Sequence, residues 1–113
     1  MKFEPKNNHL ELEIKDNIFI IDPMAAQAKA KEIQKIIKNP ISGKENMLVD
    51  DAILADMLSA AKECVDLLLG KGTSDKLFTE KDSYYDVMDV YFFITENVNK
   101  KCAEKNAEYK DKK

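Results

Sequence analysis

Apolar and polar positions change period twice in the first forty or so residues. Leu10, Leu12 and Ile14 alternate with Glu11, Glu13 and Lys15, the period of a strand with one face buried. Asp16-Asn17 offers two residues that tolerate positive φ, so a two-residue turn is predicted there, with Ile18 to Ile21 returning as a second strand. With Lys15 opposite Ile18, Ile14 would face Phe19 and Leu12 would face Ile21 on the core side. Ile18 and Ile20 would then point outward.

At Asp22-Pro23 the period becomes helical. Asp accepts from orphan N–H groups, and Pro at the first helical position lacks one to satisfy. The spacing predicts one helix to about Lys38, with Ala26, Ala30, Ile33, Ile36 and Ile37 on one side and Gln27, Lys31, Gln34 and Lys38 opposite. Asn39-Pro40 stops it, and Ile41 to Asn46 is a loop. A second stripe through Ile53, Met57, Ala60, Ala61, Cys64, Val65 and Leu68 predicts a helix from about Val49 to Leu69, wet along Asp56, Ser59, Glu63 and Asp66. Gly70 stands where a left-handed cap belongs. Leu77-Phe78 is the apolar anchor of an otherwise polar linker, in a short helical turn. Ser83 with Asp86 three residues on resembles a capping box and opens the last helix, whose buried side runs through Tyr84, Val87, Met88, Tyr91, Ile94, Thr95, Val98 and Cys102. The expectation is a mainly α (α+β) protein: an N-terminal β-hairpin, three main α-helices and a short helical turn. It is a single domain over 1–113, with residues 1–8 and about 104–113 flexible and the chain beyond Asn99 fraying into solvent.

Charge narrows the function classes. The chain carries 18 lysines and no arginine against 21 acidic side chains, for a net charge of −3. Without arginine to make bidentate contacts to phosphate or guanine, nucleic acid is a poor partner, and an anionic membrane surface equally so. The longest apolar run, Val90 to Ile94, is far too short to span a bilayer, and the polar start has no signal-peptide core. A cytoplasmic protein is expected.

Catalytic chemistry finds little to work with. His9 is the one histidine and precedes the hairpin in a polar stretch, as a solvated loop residue. Cys64 and Cys102 fall on apolar helix stripes, where a free buried thiol packs as a small hydrophobe. There is no CxxC or HExxH, so a structural zinc site lacks ligands. Ser42, Ser59, Ser74 and Ser83 have no glycine-rich elbow. Gly70 to Ser74 superficially resembles a phosphate loop, but its spacing is wrong and it follows a helix. Asp50-Asp51 and Asp86/Asp89 fit helix N-terminal charge or a solvated face better than a cation site. No catalytic residue, metal or cofactor is expected, and the chain is not read as an enzyme.

Two features exceed what one small core requires. Ile18 and Ile20 lie on the outer face of a hairpin that has two open edges, where either the Ile41 loop covers them or a partner does. Val90 to Ile94 is apolar most of the way around a helix, which is either central to the fold or docked on a partner. Ile18, Ile20, Tyr85, Phe92 and Phe93 are the residues expected to carry self-association or partner binding.

The hairpin, the amphipathic helices and the stretch LLLGKGTSDKLFTEKDSYYDVMDVYFFITENVN (67–99) together resemble small phage and prophage proteins of low-G+C Gram-positive bacteria, similar to the tail assembly chaperones of long-tailed phages. In those proteins a glycine-containing turn leads into a short Lys-hydrophobic-Phe segment and then an acid-and-aromatic helix. The polar start, Lys2 to His9, departs from the usual pattern. The resemblance implies a non-catalytic homo-oligomer that coats the hydrophobic helical tape-measure protein before tail-tube subunits polymerise, in the bacterial cytoplasm, with the tail-tube protein as a further partner. It also implies a longer frameshifted product read from a slippery run at Lys112-Lys113, against the plainer reading of a solubilising lysine tail. The alternatives are a structural or adaptor component of the virion (tail or head completion) and a helical regulator of a host protein.

Overall fold

A computed structural model describes residues 1–5, 7–43 and 48–111. Lys44 to Asn46 of the expected loop and Lys112-Lys113 lie outside the described residues. Strands β1 (Leu10–Ile14) and β2 (Asn17–Ile21) form a two-stranded antiparallel hairpin, followed by helices α1 (Pro23–Ala28), α2 (Ala30–Lys38), α3 (Asp51–Leu69), α4 (Thr73–Leu77) and α5 (Tyr84–Lys110). A 3-10 turn at Asn39–Ile41 follows α2.

The hairpin turns one residue earlier than the sequence suggests, which shifts the pairing register by two. Leu12 pairs with Phe19 and Ile14 with Asn17, so the turn is Lys15-Asp16, not Asp16-Asn17. Both turn residues have positive φ (48° and 66°), the geometry that matches the twist of a tight hairpin. Lys15 accepts this uncommon backbone while its side chain reaches the α4–α5 linker. Its Nζ donates to the Leu77 carbonyl at 2.7 Å, pairs with Asp82 at 3.2 Å and sits 4.9 Å from the centre of the Phe78 ring. A shift of two residues preserves facing, because strand side chains alternate with period two. Leu12 and Ile14 are therefore buried as expected, and Ile18 and Ile20 face outward.

The helix predicted from Pro23 to Lys38 is two helices. Asp22 caps the first, accepting from the N–H groups of Met24 and Ala25. At Lys29 (φ −86°, ψ 0°) the ladder breaks, and it resumes with Ile33 N–H donating to the Lys29 carbonyl at 3.0 Å. The two pieces have different partners: α1 packs on α5 and α2 on α3. Ala26 before the break and Ile33 after it are both buried. The Lys29 Nζ spans the gap to donate to the Leu67 carbonyl at 2.7 Å. The break also leaves Ala30 exposed, where continuous periodicity placed it inside.

Helix α3 begins at Asp51, two residues later than expected, because Asp50 is its N-cap and accepts from Ile53 N–H at 2.8 Å. Ala60, Ala61, Cys64, Val65 and Leu68 are buried along it. Gly70 ends it with φ 121° and ψ 149°, an extended positive-φ conformation open essentially to glycine alone and not the left-handed cap that was expected. Ser83 and Asp86 close a reciprocal capping box at the start of α5. Val87, Ile94, Val98 and Cys102 give this long helix its buried side, and it continues past Asn99 to Lys110. Its 27 residues run about 40 Å at 1.5 Å per residue. One buried cluster joins Leu12 and Ile14 of the hairpin, Ile33 of α2, Cys64 and Val65 of α3, Leu77 and Phe78, and Val87, Ile94, Val98 and Cys102 of α5.

Candidate functional site

The glycine segment that superficially resembles a phosphate loop is closed from within. Asp66, placed by spacing on the wet side of α3, turns its carboxylate onto Ser74, accepting the backbone N–H at 2.7 Å and the hydroxyl at 3.0 Å. Gly72, at the N-cap of α4, has no side chain to offer, so Asp66 supplies the missing acceptor from the preceding helix. Ser74 is buried, and its donors are taken. One member of each acidic pair is engaged as a cap: Asp50 caps α3, and Asp86 accepts from Ser83 N–H at 2.7 Å. His9 is exposed and its N–H donates to Asn7 Oδ1. Both cysteines are free and buried, and burial pushes the Cys64 thiol up to about 11. Among the described residues no three His, Cys, Asp or Glu side chains converge as a metal site would need. No helix among them is long and apolar enough to cross a membrane.

The exposed apolar side chains are arranged less evenly. Ile18 and Ile20 remain 63% and 67% exposed, so the described part of the Ile41 loop does not cover them. They share the outer face of the hairpin with Glu13 and Glu11, their cross-strand neighbours. Phe93 is 42% exposed, and with Val90 it meets Glu13, Ile14 and Asp89 in a shallow depression where α5 runs beside β1. The outer hairpin face and this flank of α5 therefore meet at Glu13, which brings three of the five expected residues, Ile18, Ile20 and Phe93, to one side of the molecule.

Tyr85 and Phe92 are also exposed, but helical spacing sets them on the other flank of α5, beyond the row that holds Asp89 and Glu96. The Phe92 ring leans edge-on against Tyr91, with centroids 5.3 Å apart. Val90, part of the apolar run, lies one helical turn before Phe93 as spacing alone indicates. Glu13 is not among the expected residues, and its nearness to Phe93 depends on how β1 lies along α5, for which no local pattern is a signal. Leu48, Val49 and Leu54, off the α3 stripe, are exposed as well.

No curated protein and no solved structure matches the chain. Residues 6–113 match a family of unknown function, DUF6673. A match over nearly the whole length makes the chain a member of the DUF6673 family.

Proposed function

We propose that this protein is a non-catalytic interaction protein that associates with itself and holds an amphipathic helical partner, in the manner of a phage tail assembly chaperone in the bacterial cytoplasm. The observation that carries the reading is that Ile18, Ile20 and Phe93, three large apolar side chains, are left exposed on one side of the molecule, where the hairpin and α5 meet at Glu13. A surface of that kind serves association better than folding, because the core beneath it is already closed by Leu12, Ile14 and Ile94. The tape-measure protein as the specific partner rests on the resemblance of the 67–99 stretch, and on the exposed amphipathic helices such a protein is expected to present before it is enclosed.

Co-expression with the tape-measure protein of the same genome tests it. A soluble complex, together with absence of this chain from finished particles by mass spectrometry, is the expected result. Presence in the particle favours a structural or adaptor component. No complex, with no tape-measure gene in the neighbourhood, leaves the regulator of a host protein.

A further inference from the structure

The apolar surface has a charge of its own. Glu11 and Glu13 stand beside Ile20 and Ile18 on the hairpin, and Asp89 stands at the rim of the Phe93 depression. None of the three makes an ion pair with a described residue. The lysine that strand alternation would add to the same face, Lys15, is drawn away to Leu77 and Asp82. Lys100, two turns beyond Phe93, is the nearest lysine on that flank of α5. The isoleucines of β2 thus stand beside a row of glutamates on β1, and that row lies between them and the Phe93 depression on α5.

We infer that the occupant of this surface is an amphipathic helix flanked by lysine or arginine, whose apolar stripe lies over Ile18 and Ile20 and whose basic side chains reach Glu11, Glu13 and Asp89 beside the Phe93 depression. The inference rests on the helix-holding reading above and adds the sign of the partner's charge. An acidic amphipathic helix would bring like charges together at the rim, whereas a basic one is steered in and held in register. A second copy of this chain brings the same acidic rim, so self-association across this surface is the weaker contact and gives way to a basic helix.

The test uses three fluorescent helical peptides of about 18 residues, long enough to hold a helix on binding. They share one leucine face and carry lysine, glutamine or glutamate on its flanks, and anisotropy is read against the full-length protein. The lysine peptide is expected to bind best and to weaken between ~50 mM and ~200 mM salt. The double variant E11K/E13K should lower its affinity about three- to tenfold and raise that of the glutamate peptide. The control D56K/E63K, with the same charge change on the exposed side of α3, should do neither, and circular dichroism should show both variants folded. Equal binding of the lysine and glutamine peptides overturns the charge assignment and leaves helix holding intact. Equal loss in the control overturns the location. Failure of all three peptides to bind overturns the helix-holding reading itself.

Discussion

The Asp66 carboxylate and Ser74 are joined twice, through the backbone N–H at 2.7 Å and the hydroxyl at 3.0 Å. One side chain at the end of α3 thereby holds the start of α4 and sets the path of the chain across Gly70 to Thr73. The buried pair Leu77 and Phe78 follows directly, so the position of this plug depends on the same carboxylate.

Replacing Ser74 by Ala removes one of the two bonds and should cost about 1–2 kcal/mol. Asp66→Ala removes both and leaves a partly buried N–H and hydroxyl without an acceptor, at about 2–3 kcal/mol. Urea denaturation of the two single variants and the double measures the coupling. A cost for Asp66→Ala below about 0.5 kcal/mol would mean the carboxylate contributes nothing to the turn.

Phe93 and Ile94 are neighbours with opposite roles, one 42% exposed and the other fully buried. Phe93→Ser is expected to leave the melting temperature nearly unchanged while weakening self-association, and Ile94→Ala to cost about 2–5 kcal/mol through the cavity it leaves. Light scattering over a concentration series gives the association state of the wild type, of Phe93→Ser and of the pair I18S/I20S. A strict monomer up to high micromolar wild-type protein would sink the self-association proposal. A loss above about 3 kcal/mol in Phe93→Ser would reassign that ring to the core.

How much of this could be read from the chain alone depends on where the determining contact lies. The capping box at Ser83 and Asp86 and the cap at Asp22 are local, three residues or fewer in reach, and both formed as their spacing indicates. The outward facing of Ile18 and Ile20 survived an error of two in the register, because alternation is indifferent to an even shift. The turn itself was not legible. Lys15-Asp16 and Asp16-Asn17 are both acceptable locally, and what distinguishes them is a lysine bond to a carbonyl 62 residues away. The break at Lys29 is of the same kind, since periodicity carries through it and only the two separate packing partners show why the chain kinks. Asp66 was assigned to solvent because a helical wheel shows which way a side chain leaves the helix and nothing of the loop that curls back to meet it.

Asp82 accepts the Thr79 backbone N–H at 2.8 Å, and this bond, aided by Lys15, holds its carboxyl below the usual aspartate value. A lowered folded value means the charged form is favoured in the native state, so the contribution is present above the unfolded pKa, about 3.9, and is lost as pH falls through the folded value. The gap in urea midpoint between wild type and Asp82→Asn should therefore be open at pH 7 and close steadily below about pH 4. A gap independent of pH would show that the carboxylate's charge is irrelevant.

Cys64 is entirely buried between α2 and α3, its Sγ 3.8 Å from the Ile33 carbonyl, and burial raises it to about 11. The neutral thiol is the native form, so stability is retained up to the unfolded pKa near 8.5 and declines as pH rises beyond it. At pH 8 a thiol reagent should label this residue only at the rate of unfolding, and Cys64→Ser should leave a single site of labelling, Cys102. Rapid labelling of Cys64 in the native protein would contradict its burial.

Fastening the tip of the hairpin through Lys15 has a mechanical consequence. A two-stranded sheet with both edges free would ordinarily peel from its end under a sideways pull. Here the tip is buttoned to the Leu77 carbonyl and to Asp82, the residue immediately before the cap of α5. Force applied to the outer isoleucines is therefore passed into the base of the 27-residue helix, and the hairpin acts as a stiff handle on it. Salt weakens the Asp82 half of the button and leaves the carbonyl half in place, so the handle loosens by degrees and does not let go at once.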